Sequence, residues 1–216
     1  MPEPSRSRVA FAATGVANLA SIMAAFRRAG ALPFLASGPE ELELADFAVV
    51  PGVGAFGSAM SALAGSGMDV AIRNRITRRA PTLGVCAGMQ LFFEGSEESP
   101  GARGMGILPG VFRRFPSTLP VPQLGWNMVR PAGGATSASP NLIRRGWAYF
   151  ANSYRLTEAP EGCAASWAEY GEDFIAALER PGLLLCQFHP ELSGPWGLEL
   201  IGSWLAGAAP TEGGSR

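Results

Sequence analysis

The sequence predicts an α/β fold, a three-layer α/β/α arrangement around a mostly parallel open sheet with an antiparallel extension. Three observations predict it. Short apolar runs at 9–13, 32–36, 47–50 and 81–85 alternate with segments of helical apolar periodicity, the pattern of a parallel sheet wrapped by helices. Beyond residue 100, strand-like runs follow one another, separated by prolines and glycines, as in antiparallel sheets. The 216 residues are 47% hydrophobic and 16% charged, enough to bury one substantial core.

Taken in order, a polar start leads into the first strand, 9–13. Leu19, Ile22, Met23 and Phe26 recur at helical spacing and predict a helix over 17–29, with Gly30 as its stop. Strands follow at 32–36 and 47–50, the latter running into PGVGAFG at 51–57. Helical patterns at 58–64 and 69–79 lead to a buried strand at 81–85. A glycine-flanked bend carries Cys86, and a helix is expected after it, with Met89, Leu91, Phe92 and Phe93 facing inward. In the middle of the chain, 110–115 and 126–129 are strand candidates, and the Gly-, Ala- and Ser-rich 131–140 reads as a mobile surface loop. Strand-like runs at 148–150, 163–170, 174–178 and 183–188 precede a final helix at 196–205. One domain is expected over 1–207, with 208–216 as a flexible tail.

Composition excludes several classes of function. The sequence contains no run of about eighteen apolar residues and no secretory signal pattern, so a cytoplasmic protein without a membrane partner is expected. A net charge of −1, with arginine pairs such as Arg27 and Arg28, Arg78 and Arg79, and Arg144 and Arg145 scattered along the chain, gives no nucleic-acid footprint. Cys86, Cys163 and Cys186 form neither a metal spacing nor an even disulfide set. Without a Walker loop, dinucleotide fingerprint or metal cluster, no cofactor and no metal are expected.

The stretch PTLGVCAGMQLFFE, residues 81–94, has the outline of a nucleophile elbow: strand, sharp turn, helix. Such a turn projects the Cys86 sulfur above the sheet, and the amides that follow favour its thiolate. A structural cysteine in an ordinary strand-turn-helix is the plainer alternative. The only histidine, His189, ends the apolar run 183–188, and Glu191 stands two residues on. A cysteine nucleophile needs a base, and the base needs a group that fixes its tautomer. Singly, His189 reads as a core histidine and Glu191 as a helix-start charge; with Cys86 they supply all three roles. Acyl transfer also requires donors for an oxyanion. The PGVG loop, through Val53 and Gly54, and the Ala87 N–H are candidates; alone, PGVG is only a turn.

Residues 84–90, Gly-Val-Cys-Ala-Gly-Met-Gln, resemble the Gly-x-Cys-x-Gly-x-Gln elbow of triad (class I) glutamine amidotransferases, and Phe188-His189-Pro190-Glu191 resembles their His-x-Glu signature. PGVGAFG, GMGILPG, QLGWN at 123–127, YFANSY at 149–154 and HPELSG at 189–194 are similar to the glutaminase subunits of imidazole glycerol phosphate synthases, in the same order. This resemblance implies that a Cys86 thiolate attacks the glutamine carboxamide, that His189 protonates the departing ammonia and that Glu191 orients His189. It further implies that Gly52, Gln90, Asn152, Ser153 and Tyr154 hold the substrate. It implies a (β/α)₈-barrel synthase partner that accepts ammonia, across an interface including Asn18, Trp126, Asn127, Tyr149 and Leu192.

Departures from the family pattern bear on the partner. The early Asp-Tyr-Gly-x-Gly-Asn segment is replaced by 12–18, which keeps one glycine and Asn18; Gln123 and Asn152 stand where histidines are common; Leu192 replaces a basic residue. The sequence therefore leaves open a paralogue serving another synthase, a stand-alone γ-glutamyl hydrolase and a catalytically silent scaffold.

Overall fold

The computed structural model describes residues 7–14, 19–52, 54–131 and 142–207. Asn18, Val53, the expected tail 208–216 and the expected loop beyond Pro131 lie outside them. The first half alternates as expected: β1 (Arg8–Phe11), α1 (Leu19–Arg28), β2 (Leu32–Leu35), α2 (Pro39–Leu44), β3 (Phe47–Val50), α3 (Phe56–Ser66), α4 (Met68–Thr77) and β4 (Thr82–Val85). After it come α5 (Ala87–Gln90), β5 (Gly95–Ser96), β6 (Val111–Arg114), β7 (Gln123–Pro131), β8 (Gly146–Asn152) and β9 (Tyr154–Arg155). The chain then runs through β10 (Ala164–Glu169), β11 (Asp173–Arg180) and β12 (Leu183–Cys186), a 3₁₀ turn (Pro190–Leu192) and α6 (Gly194–Gly207).

Nine strands form one sheet in the order β2-β1-β3-β4-β12-β11-β10-β7-β8. The pairings from β2 to β12 are parallel. Those from β12 outward through β11, β10 and β7 to β8 are antiparallel. Period-two alternation sends Val9, Phe11, Phe47 and Val49 to the face covered by α1 and α6, where Phe26 meets Phe11 edge-on at 5.3 Å and Trp204 meets Phe47 at 5.0 Å. Ala10, Ala48 and Val50 face Leu42, Leu63 and Ile72 of α2, α3 and α4. These are the two cores of a three-layer fold.

Two expectations need correction. The helix after Cys86 is a single turn, Ala87–Gln90, rather than one continuing through Phe93. Its would-be continuation is claimed from outside: Leu91 O accepts from Met105 N at 2.8 Å, Phe92 O from Ile107 and Leu108 N at 2.9 and 3.0 Å, and Phe93 O from Gly106 N at 3.0 Å. Leu91, Phe92 and Phe93 are nonetheless fully buried. The run 183–188 is strand only to Cys186; β12 ends there, and His189 instead bridges to Tyr149 on β8. Two features went unread in the sequence: α2, signalled by Pro39 at its start and Glu40 and Glu41 in its first turn, and the small sheet β5-β6-β9.

Arg75 on α4 is 0% exposed. Its Nη1 donates to Leu42, Glu43 and Ala45 carbonyls at 3.0, 3.0 and 2.6 Å, and its Nη2 to Pro81 O at 2.7 Å, joining the C-terminal end of α2 to the start of β4. Burial, with the charge of Arg78 adding to it, pulls its pKa down to about 10. Arg75→Met keeps the stem and strands these carbonyls, so it is expected to cost about 3 kcal/mol and to lower the melting temperature by roughly 10 °C; a calorimetric scan reads this out.

Candidate active site

The parallel pairing of β4 with β12 sets Val85 beside Cys186. Cys86 and the segment 187–189 therefore follow β4 and β12 side by side at the carboxyl end of these parallel strands, where α/β folds place their chemistry. Cys86 has φ 54° and ψ −116°, a strained left-handed conformation for a residue with a side chain, of the kind that costs about 1–3 kcal/mol. Its N–H is fixed to Cys186 O at 2.7 Å. The expected elbow is present, although one helical turn rather than a long helix follows it.

The loop after β3 packs onto this elbow backbone to backbone. A Cβ on Gly52 would lie 1.8 Å from Gly88 N, and one on Gly88 would lie 2.0 Å from Val50 O. Both positions require glycine because of this close approach. Gly88 thus makes room for the backbone of Val50 and Pro51. Gly54, at φ +105°, is exposed. The N–H groups of Ala87 and Gly88 have no acceptor among the described residues.

His189 and Cys86 are both buried, and Cys86 is among the groups that act on the His189 imidazole. The ring nitrogen Nδ1 lies 2.9 Å from Glu191 Oε1. Burial works against the imidazolium; Cys86 and Glu191 outweigh it, and the His189 pKa is pushed up to about 10. The structure therefore brings together three residues from opposite halves of the chain. The turn carrying His189 is held by β8: its N–H donates to Tyr149 O at 2.9 Å, while Ser193 Oγ donates to His189 O at 2.6 Å and accepts from Tyr149 N at 3.0 Å. Ser193 was not anticipated; its burial is visible only in three dimensions.

β8 also brings Ala151 O to 3.9 Å from Cys86 Sγ, which sets Asn152, Ser153 and Tyr154 next in line along the chain. Asn152 Nδ2 donates to Tyr154 O at 3.0 Å, and Ser153 O accepts from Phe115 N at 3.0 Å. Gln90 is buried beside the elbow, and its Nε2 donates to Gln187 Oε1 at 3.4 Å. Gln123 and Asn152, the two positions that depart from the family's histidines, are direct cross-strand partners. Among the described residues, Gln90 Oε1, Gln123 Oε1, Asn152 Oδ1 and Glu191 Oε2 are buried acceptors without a donor.

Trp126, Asn127, Tyr149 and Leu192 occupy one neighbourhood at the β7-β8 end of the sheet. Trp126 opposes Tyr149 in register, with ring centroids 6.2 Å apart, and is 54% exposed. Leu124, Trp147 and Leu192 are also exposed there. Asn127 Nδ2 donates to Glu169 O at 2.7 Å. Burial raises the thiol pKa of Cys163 and, far more strongly, that of Cys186. No group of His, Cys, Asp and Glu suited to a metal occurs among the described residues, nor is any helix among them long and apolar enough to cross a membrane.

Residues 33–202 match the family model for glutamine amidotransferase class-I. The chain belongs to the class-I glutamine amidotransferase family. It is 43% identical over 187 residues to the imidazole glycerol phosphate synthase subunit HisH of Thermus thermophilus, covering 87% of this chain and 91% of that protein. It is 40% identical to HisH of Herpetosiphon aurantiacus, covering 88% and 90%. Among solved structures, one titled as a glutamine amidotransferase superposes with a TM-score of 0.73 over 93% of this chain and 98% of that one at 19% identity. The PurLQS structure from Thermotoga maritima gives 0.73 at 15% identity over 93% and 98%. These likenesses bear out the three-layer α/β reading.

Proposed function

We propose that this chain is the glutaminase subunit of an imidazole glycerol phosphate synthase, hydrolysing glutamine to glutamate and ammonia at Cys86 and delivering the ammonia to a cyclase partner in histidine biosynthesis. The observation that carries it is the assembly of Cys86, His189 and Glu191 at a strained elbow in a chain 43% identical to HisH proteins.

In the proposed reaction the Cys86 thiolate adds to the side-chain amide carbon of glutamine. The oxyanion faces the Ala87 N–H and the N–H groups of Val53 and Gly54. The imidazolium of His189, held in place by Glu191, gives its proton to the amide nitrogen; the C–N bond breaks, ammonia leaves and a γ-glutamyl thioester remains. A water molecule deprotonated by His189 then attacks the thioester, releasing glutamate and restoring the thiolate. The unpartnered oxygens of Gln90 and Asn152 suit the donor-rich α-ammonium of the substrate, and the backbone at Gly52, Ser153 and Tyr154 its carboxylate.

The exposed apolar edge supports a (β/α)₈-barrel partner docking on Trp126, Asn127, Tyr149, Leu192 and the Asn18 region. The strand that carries Tyr149 also contacts Cys86 through Ala151 O and His189 through Tyr149 O, so docking there bears on the reacting groups. The purified chain is expected to hydrolyse glutamine slowly and to be stimulated, roughly 100-fold, by a histidine-pathway barrel subunit. Full activity in isolation would select a stand-alone hydrolase. Stimulation only by a different synthase would reassign the acceptor, as the apolar Leu192, 42% exposed, invites.

A further inference from the structure

We propose that Gln187 holds the Cys86 sulfur as a thiolate and that Gln90 couples this hold to occupancy of the glutamine site. The inference rests on the reading of Cys86 as the nucleophile. Gln187 directly follows β12, where the chain leaves strand geometry; its N–H is anchored to Ala176 O at 2.9 Å and the residue is 0% exposed. Its carboxamide spans two partners. Oε1 accepts from Gln90 Nε2 at 3.4 Å, and Nε2 lies 3.8 Å from Cys86 Sγ, a distance suited to an N–H donor on sulfur.

The orientation of this relay follows from the charge on the sulfur. A thiolate only accepts, so it requires the Nε2 end of Gln187 toward it. That leaves Oε1 of Gln187 for Gln90, which must present its Nε2 there and turn its own Oε1 away. That Oε1 is buried and has no donor among the described residues. A neutral thiol, being a donor, accommodates both amides reversed, and it has a second acceptor in Ala151 O at 3.9 Å. A substrate ammonium at Gln90 Oε1 and a thiolate at Cys86 therefore favour the same orientation, and each promotes the other. The Ala151 carbonyl disfavours the thiolate, and the Gln187 donor offsets it.

The ionisable groups nearest the sulfur among the described residues are His189, with Glu191 on its Nδ1, and Cys186, whose strand partner Val85 directly precedes Cys86. Cys186 stays a thiol through burial and the nearby glutamates. Thiolate formation can thus be read as the pH dependence of alkylation of Cys86 by iodoacetamide in the full chain, with each cysteine quantified by mass spectrometry. This readout needs no substrate. Gln187→Leu and the equally long, donor-free Gln187→Met are expected to move the acid limb of Cys86 alkylation up by about one pH unit, a roughly tenfold loss of reactivity at a fixed pH on the limb. Gln90→Leu should move it in the same direction by less, because Gln187 is then free to turn. Circular dichroism confirms folding of each variant. A purely structural role for Gln187 would alter stability and leave the limb in place, and an unmoved limb in a folded Gln187→Met overturns the proposal. If Cys86 of the unaltered chain is not alkylated ahead of Cys163 and Cys186, the nucleophile reading itself falls.

Discussion

Cys86→Ala is expected to reduce glutamine hydrolysis to background, a fall on the order of 10⁴-fold or more, with or without the barrel subunit. The variant keeps the Cβ, so the backbone at residue 86 is strained as before, and it empties little volume, so the fold should survive and the loss should be chemical. The same variant changes His189. With the favourable effect of Cys86 on the imidazolium gone, burial and Glu191 remain, and the imidazole pKa should fall below its value of about 10. Because the chain has one histidine, NMR of a tag-free protein gives a single titration curve. The sign follows from linkage: a folded pKa above the unfolded value near 6.5 contributes stability that is fully present below about pH 6.5 and is lost as pH rises through about 10. Cys86→Ala should shrink that window from its upper side. Retained glutaminase activity would remove Cys86 from the mechanism, and an unchanged titration would sever its link to His189.

The second large effect is expected from Gly88→Ala. Its new Cβ would lie 2.0 Å from Val50 O and 2.8 Å from Val50 C, and neither atom can move without shifting β3 or the loop after it. The overlap can be relieved only by prising Val50, Pro51 and Gly52 from the elbow. A cost of about 4 kcal/mol or more is expected, along with loss of activity from displaced oxyanion donors. Gly52→Ala meets the same contact from the other side, 1.8 Å from Gly88 N, and should behave alike. Gly202 in α6 serves as a control, because a Cβ there meets nothing within 4 Å; Gly202→Ala should stabilise by about 0.5–1 kcal/mol through helix propensity. Denaturant unfolding compares the three, and a mild Gly88→Ala would mean that the loop and elbow are not packed as described.

Much of the fold was legible because its signals are local. Short apolar runs marked the parallel strands and helical spacing marked α1, α3, α4 and α6. The elbow was legible because strand, glycine, cysteine and glycine lie within a few consecutive residues. The helix after Cys86 was misjudged for a non-local reason: Met89, Leu91, Phe92 and Phe93 are apolar as a buried helix would be, but the segment 105–108 takes the carbonyls that a helix would have used. The length of the 183–188 strand was overread likewise, since Gln187 looks like an interruption in an apolar run until its side chain is seen under the sulfur.

By itself, the sequence determined the α/β class and singled out Cys86, His189 and Glu191 as candidates, because each rests on residue type and short-range spacing. Tertiary structure alone decided that β4 and β12 are neighbours, which is what puts Cys86 and His189 within reach of each other across the chain. It also decided that Gly52 and Gly88 serve one backbone contact, that Gln123 and Asn152 are one cross-strand pair, and that Gln187 lies against the Cys86 sulfur. The physical reason is common to all of these. Strand order and register are set by the summed burial of both sheet faces, a property of the whole core that no local stretch of sequence contains.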